Sequence, residues 1–564
     1  MKNRVAAVLC IAIAGALCSQ ASSQTRRVDW PTYGAGYDNS RHVSIPGLTA
    51  ANVASLRPVW HFVLGPHERV ETTPIVVGRT LYATTGVGNN VIAIDAETGK
   101  QKWVYRPTLG AMSPCCGALN RGVAVGEGRV YFATLDAQLI ALDARTGARQ
   151  WHLQIGDGAK GLSETMAPLY SHGMVFIGSS GSDNGIRGSV SAYRASDGKF
   201  LWRWYAVAPG WEGTYATTAS GFSLHRDVAA EKRAQAAYHD AWQHGGGAVW
   251  MTPALDPKDK TLYVSTGNPS PVFNGSVRPG DNLYTDSIVA IDARTGKMRW
   301  YFQQTPHDIW EYEAASPPVL VQAADRRGKR IPAVIEAGKT RWLYVLDRRT
   351  GKLLRLSEAW SANADVYKPY ARVRENPKDN LPLRGTIGPI AYLPAAGFAY
   401  ITEVDRPSAK TWRDLLLAVS VDTGKIQWKK MLGPVHGTYR GDPVLTGALS
   451  VNDLVFVSDT EGEFFALDAR TGATLWQHQL GSTEVPDAQE NVLKRFAHSI
   501  RDALVPIKRF LFRQQAPTQA LAGVDGSPIA YMIGGRPYVV LGYDSHPERA
   551  SGGAVLTAFS FGSL

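Results

Sequence analysis

Apolar and polar positions alternate along most of the chain in short runs, such as "RVYFATLDAQLIAL" at 129–142 and "DLVFVSDTEGEFFAL" at 453–467. A period of two predicts half-buried strands, and the fully apolar stretches predict strands buried on both faces. The runs end in one recurring signature. It reads "AIDAETGKQKW" to Trp103, "ALDARTGARQW" to Trp151, "AYRASDGKFLW" to Trp202 and "AIDARTGKMRW" to Trp300. It continues as "VLDRRTGKLLR" to Arg355, "AVSVDTGKIQW" to Trp428 and "ALDARTGATLW" to Trp476. Asp/Thr-Gly makes a tight turn, and the strand after it carries a Trp large enough to wedge between one unit and the next.

With Trp60 of "LRPVWHFVLG" the signature counts eight units, spaced by roughly 45 to 55 residues as propeller blades are. The expected fold is therefore all-β, an eight-bladed β-propeller closed by Trp docking. Two longer gaps, 202 to 300 and 355 to 428, predict inserted loops, one of them at about 206–247 with Trp211, Tyr215, Phe222 and His225 as a possible roof. A further insertion at about 483–522 places Leu493, Phe496, Ile500, Leu504, Ile507 and Leu511 on one helical face. Packing against the propeller's own flank is the reading preferred for it, ahead of a membrane surface, a lid or a partner.

The first 24 residues follow another pattern: Lys2 and Arg4, an apolar run from Val5 to Cys18, then small polar residues. That is a secretory leader, which leaves 25–564 as a single exported catalytic or binding domain. The formal charge of +11 loses two units with Lys2 and Arg4, and the remaining basic residues are scattered. No nucleic-acid partner is expected from such a distribution.

Export bears on the cysteines. Cys10 and Cys18 leave with the leader, so Cys115 and Cys116 of "MSPCCGALNRG" remain, adjacent and in an oxidising compartment. Neighbouring cysteines can close only a strained eight-membered ring, which ties nothing distant together. Such a ring makes a rigid, polarizable plate, useful for gripping a flat ligand. Two reduced thiols on a loop remain the alternative.

The surrounding residues match a family. "CCGALNRG" resembles the Cys-Cys segment of the pyrroloquinoline quinone (PQQ) dependent alcohol dehydrogenases, with Arg121 five residues after the second cysteine. The resemblance runs from about Trp30 to the C-terminus. "VETTPIVV" supplies Glu71, "ETMAPL" supplies Thr165, and "GSSGSDNGIRG" supplies Ser180, Gly181 and Asp183. "AWQHGGGAVW", "STGNPSP" and "GKTRWLYVLDRRTGK" supply Trp250, Asn268 and Lys339.

The resemblance implies a cofactor site of Glu71, Cys115, Cys116, Arg121, Thr165, Ser180, Gly181, Trp250 and Lys339. It also implies one Ca2+ or lanthanide ion held by Asp183, Asn268, Glu311 and Glu313. PQQ is a flat tricarboxylate, so a disulfide plate and Trp250 suit its faces, and Arg121, Thr165, Ser180 and Lys339 suit its carboxylates. The implied activity is oxidation of an alcohol to an aldehyde or ketone, with Glu311 as general base. The implied location is the periplasm. No Cys-x-x-Cys-His occurs in the chain, so a separate soluble cytochrome c is the expected electron acceptor. A homodimer is possible. Two alternatives stand beside the enzyme: a non-catalytic propeller scaffold, and a protein that binds PQQ without turnover.

The chain departs from the family at three places. Asp183 stands for the usual Glu of the metal site. In "HDIWEYEAAS" Glu311 stands for the usual catalytic Asp, with Glu313 where lanthanide-using relatives carry an extra Asp and Asp308 as runner-up base. "RGTIGPIAY" at 384–392 lacks the expected Asn-Trp pair.

Overall fold

The computed structural model describes residues 27–66, 70–209, 216–360, 386–408, 411–435, 446–460, 462–481, 526–544 and 553–562. The expected leader and the 483–522 insertion lie outside the described residues, as do Trp211 and Tyr215 of the expected roof. Among the described residues no helix is long and apolar enough to cross a membrane.

The strands form eight antiparallel sheets arranged as the blades of a propeller. Blades one to seven span 75–105, 124–154, 169–205, 254–303, 319–356, 391–435 and 449–479. Blade eight takes its three inner strands from 529–561 and its outermost from Leu56–Pro66. Leu56 pairs with Phe561 and Pro66 with Gly553, so the two ends of the chain close the ring within one sheet. A fifth strand, His42–Val43, lies parallel to Leu449–Val451 of blade seven.

Burial explains the two kinds of hydrophobic run. The second and third strands of a blade face neighbouring blades on both sides: Met174–Gly178 is buried along four of its five positions. The fourth strand, at the rim, alternates, as Arg149–Gln154 does.

The repeated signature is the joint between blades. Trp103, Trp151, Trp202, Trp300 and Trp428 each donate their indole N–H to a carbonyl of the next blade, at 3.0 to 3.2 Å. Each indole lies under the turn glycine of that blade. A Cβ on Gly147 would stand 2.6 Å from Trp103, and one on Gly351 2.5 Å from Trp300. Both glycines also have positive φ, at 74° and 71°, so the turn and the docking need the same residue. Arg355 replaces the fifth Trp and makes the same bond, Nη1 to the Val421 carbonyl at 3.0 Å. Trp60 lies under Gly99, where the Ala96 carbonyl accepts from the Tyr531 hydroxyl at 2.6 Å.

Between blades three and four the expected insertion carries a short helix, Val228–Ala234, capped by Asp227 Oδ1 accepting from Ala230 N–H at 2.9 Å. Phe222 of this insertion stacks on Trp342, ring centres 4.7 Å apart.

Candidate active site

In a four-stranded blade the connection from one blade to the next and the turn between the second and third strands emerge at the same end. Every candidate residue sits on one of these two kinds of loop. Glu71 precedes blade one, Cys115, Cys116 and Arg121 lie between blades one and two, and Thr165 between two and three. Ser180, Gly181 and Asp183 are in the turn of blade three, and Asn268 in that of blade four. Trp250 precedes blade four, Glu311 and Glu313 precede blade five, and Lys339 is in its turn. All thirteen line one cavity of about 350 Å³. A larger open cleft of about 740 Å³ around Tyr37 and Asp256 contains none of them.

The polar groups form a connected circuit. Arg121 pairs with Glu71 at 2.7 Å and donates to Thr165 Oγ1 at 2.9 Å. Thr165 Oγ1 lies 2.6 Å from Ser180 Oγ. The Arg121 guanidinium sits 4.8 Å over the Trp250 ring, whose N–H donates to Glu313 Oε1 at 3.1 Å. Lys339 Nζ bridges Glu313 Oε2 at 2.6 Å and Glu311 Oε1 at 3.4 Å. Asn268 directs its Nδ2 at Asp183 Oδ1, at 3.4 Å, and at the Pro269 carbonyl, so its amide oxygen is the end available to a cation.

Although Asp183 is exposed, loss of water on its cavity side and then the Glu313 carboxylate raise its carboxyl above its ordinary range. Burial alone would lower the Lys339 ammonium, but Glu313, Glu311 and Asp183 outweigh it and raise it. The expected disulfide is not formed here: Cys115 and Cys116 are exposed and unbridged, with their Sγ atoms 2.6 Å apart. Hydrogen bonding to Cys115 and then burial push the Cys116 thiol up.

The metal set is looser than its chemistry suggests. Among the described residues the compact group of ligand atoms, all within 4.8 Å of one another, is Cys115, Cys116 and Asp183. Asp183, Glu311 and Glu313 face the same cavity without closing into such a group, because like charges repel and the Lys339 ammonium stands between two of them.

Of the two acids on the Glu311–Glu313 loop, Glu311 is the more open. Its side chain is 35% exposed against 9% for Glu313. It has φ of 69°, in the left-handed region, and the turn that holds it there is tied on both sides by Asp308. The Asp308 carboxylate accepts from Trp310 N–H at 2.8 Å and from Tyr312 N–H at 2.7 Å. Both of its oxygens are therefore used and the residue is fully buried, which removes it as an alternative base. Burial pushes its carboxyl up to about 6 against those two hydrogen bonds.

Sequence reasoning missed Ser163 and Ile387. Ser163 lines the cavity, is 1% exposed, and its Oγ has no partner. It lies two residues before Thr165, so the period of two within "SETMAPL" was the available signal. Ile387 forms the wall where "RGTIGPIAY" lacks Asn-Trp.

The residues present fit a flat tricarboxylate with an attached hard cation. They offer an aromatic face, a guanidinium, three hydroxyls including the unpartnered Ser163 Oγ, and oxygen ligands at the far side.

Comparison with known proteins agrees with this geometry. The family model described as "Glucose/ethanol/alcohol dehydrogenase, beta-propeller domain" matches residues 30–360, and that of "Outer membrane protein assembly factor BamB" matches 411–522. The chain is 32% identical over 513 residues to the quinohemoprotein alcohol dehydrogenase of Comamonas testosteroni, covering 82% of this chain and 70% of that protein. It is 30% identical over 499 residues to the lanthanide-dependent methanol dehydrogenase of Methylacidiphilum fumariolicum, covering 80% of each. The crystal structure of the Comamonas testosteroni protein superposes with a TM-score of 0.73 at 26% identity, over 96% of this chain and 82% of that one.

Proposed function

The chain belongs to the PQQ-dependent quinoprotein alcohol dehydrogenases, and we propose that it oxidises its alcohol with Glu311 as the general base. Bound in the cavity, PQQ supplies the two-electron acceptor and the Ca2+ or lanthanide ion a Lewis acid at its reactive carbonyl. Arg121, Thr165, Ser180 and Ser163 would hold the cofactor's carboxylates, Trp250 would lie against one face, and the Cys115–Cys116 pair, once oxidised to a disulfide, would lie against the other. Asp183, Asn268, Glu311 and Glu313 would supply oxygens to the ion.

The observation that carries the proposal is the placing of Glu311. It is a half-exposed carboxylate of the cavity wall, fixed in direction by Lys339 and in backbone by the Asp308 tethers on either side. An alcohol hydroxyl beside it loses its proton to a carboxylate oxygen as the carbon gives up hydride, so the carbonyl product forms without a charged alkoxide. The chain's task is to orient the alcohol and accept that proton in a shielded pocket.

Four carboxylates (Glu71, Asp183, Glu311 and Glu313) face two cations, Arg121 and Lys339, across the cavity. That excess of negative charge supports an ion of high charge, and Glu313 is the residue that adds to it. The electron acceptor is a separate soluble cytochrome c in the periplasm. The relatives named quinohemoproteins and the lack of Cys-x-x-Cys-His in this chain support that reading.

The test is dye-linked oxidation of a panel of alcohols by apoprotein reconstituted with PQQ and either calcium or lanthanum. Glu311→Gln should lower kcat at least 100-fold while PQQ still binds within about threefold. Turnover by that variant above about a tenth of the parent rate would reject Glu311 as the base.

A further inference from the structure

The segment before blade one runs along the first strands of blades four to seven, where Leu255, Leu320, Tyr392 and Ser450 donate their N–H groups to its carbonyls, and it buries a guanidinium that has no acid partner among the described residues. Arg41 is fully buried. Its Nε donates to the Ala448 carbonyl at 2.9 Å, and its two terminal nitrogens donate to the carbonyls of Tyr33 and Pro528. These carbonyls come from the N-terminal segment and from the entries to blades seven and eight. The guanidinium lies 5.4 Å from the Trp30 ring and 6.0 Å from the Tyr33 ring. No carboxylate of the described residues pairs with it, and the titratable group it feels is the Tyr33 phenol. Burial lowers the group to about 10, so it stays a cation at neutral pH.

Tyr33 links this cation to the site. Its buried phenol lies within electrostatic reach of Arg41, Arg121 and Glu71. Tyr33 is thus the residue that both Arg41 and the Arg121–Glu71 pair reach. That pair is neutral as a unit. The uncompensated charge beneath the carboxylate-binding end of the cavity is Arg41.

We propose that Arg41 is a charge-positioning residue for the cofactor: its buried, unpaired guanidinium attracts the carboxylates of PQQ from beneath the Arg121–Glu71 pair without touching them. The inference rests on the PQQ reading of the site. A buried cation left without a countercharge is costly, and carbonyl dipoles offset only part of that cost. A polyanionic ligand seated above it supplies the missing charge. Unit charges on the order of 10 Å apart at an effective permittivity of about 20 attract strongly enough to change an affinity about tenfold. A buried pair is weakly screened, so the effect should persist in salt.

The competing explanation is structural: Arg41 merely ties three carbonyls together. Two substitutions in the full-length apoprotein, saturated with calcium or lanthanum, separate the two. Arg41→Lys keeps the charge and loses the forked hydrogen bonds, whereas Arg41→Gln loses the charge, with Arg41→Met as the second neutral variant should the amide not fold. PQQ affinity is read by quenching of tryptophan fluorescence at low and high salt, and Tm with and without PQQ by calorimetry. The expected result is a Lys variant with lower Tm but PQQ affinity within about threefold of the parent. The neutral variant should bind PQQ about tenfold more weakly at both salt concentrations, with a smaller rise in Tm on loading. Equal losses of affinity in the charged and neutral variants, or a neutral variant that binds as tightly as the parent, overturn the inference. Failure of the unaltered protein to bind PQQ overturns instead the reading of the cavity, and this inference with it.

Discussion

Asp308→Asn tests how the catalytic turn is held. The substitution keeps the shape of the side chain but replaces a carboxylate serving two backbone N–H groups, at 2.8 and 2.7 Å, with an amide that can serve one. Hydrogen bonds to a buried charge contribute about 1.5–3 kcal/mol each and neutral ones about 0.5–1.5, so the exchange should cost about 2–4 kcal/mol. Part of that is the second N–H left without an acceptor. Glu311 sits between the two tethers with φ of 69°, a conformation that costs an L-residue roughly 1–2 kcal/mol. Once one tether is lost the turn can relax toward negative φ and carry the Glu311 carboxylate away from Lys339.

A displacement of about 1 Å at a reacting group is enough for a hundredfold loss of rate. The expected outcome is a kcat lowered about 30- to 100-fold. PQQ affinity should stay within about threefold, since Asp308 does not line the cavity. The assay is dye-linked alcohol oxidation with PQQ and the metal saturating, beside fluorescence measurement of PQQ binding. A kcat within threefold of the parent would show that the Glu311 turn needs no tether from Asp308. A parallel loss of kcat and of PQQ affinity would show a collapsed site in place of a misdirected base.

Other consequences concern stability. Gly351→Ala should destabilise the propeller by about 2–4 kcal/mol, because its Cβ would stand 2.5 Å from the Trp300 ring and its φ is 71°, as the midpoint of urea unfolding would show. Arg355→Leu removes the donors to the Val421 and Ala324 carbonyls and should cost about 1–3 kcal/mol in the same assay. Burial raises the Glu336 carboxyl from near 4.5 to about 8, so the folded protein keeps a proton that the unfolded chain sheds. Stability from this group is full below about pH 4.5 and falls as pH rises toward 8, by about 1.4 kcal/mol per pH unit. Glu336→Gln should flatten that part of the pH dependence of Tm, and an unchanged slope would count against the assignment.

The blades were legible because the same physical joint recurs. A turn glycine at positive φ, an Asp that caps the turn and a Trp that reaches the next blade must share one spacing, so periodicity alone reveals them. Even the deviant Arg355 was visible as a gap in the Trp series, although its bond to Val421 was not. The site was legible differently, through loop residues matched in order to a known family. That matching found thirteen lining residues and missed Ser163, which differs from a surface serine only in what surrounds it. It also left Asp308 in contention as a base, since its two backbone partners lie two and four residues on and only the folded turn directs them to the same side chain.

Arg41 marks the limit of what sequence pattern can reach. It stands in the N-terminal segment, outside every stretch that supplies a cavity residue, and nothing in "DNSRHVS" distinguishes it from a solvated arginine. Its partners are main-chain carbonyls, one a few residues back and two more than 400 residues away, and carbonyls leave no trace in side-chain pattern. What sets it apart is the lack of an acid among the described residues, a property of the assembled ring. The same holds for the charge distribution of the cavity. Lys339 lies between two carboxylates on the metal side, while Arg121, already matched by Glu71, needs a second cation beneath it to make the other end positive. A ligand carrying several carboxylates and an attached cation would match that polarity with its carboxylates toward Arg121 and its cation toward Asp183 and Glu311. Closure of the ring thus brings residues near both chain ends under one cavity, and this lets a segment outside the blades take part in orienting the ligand.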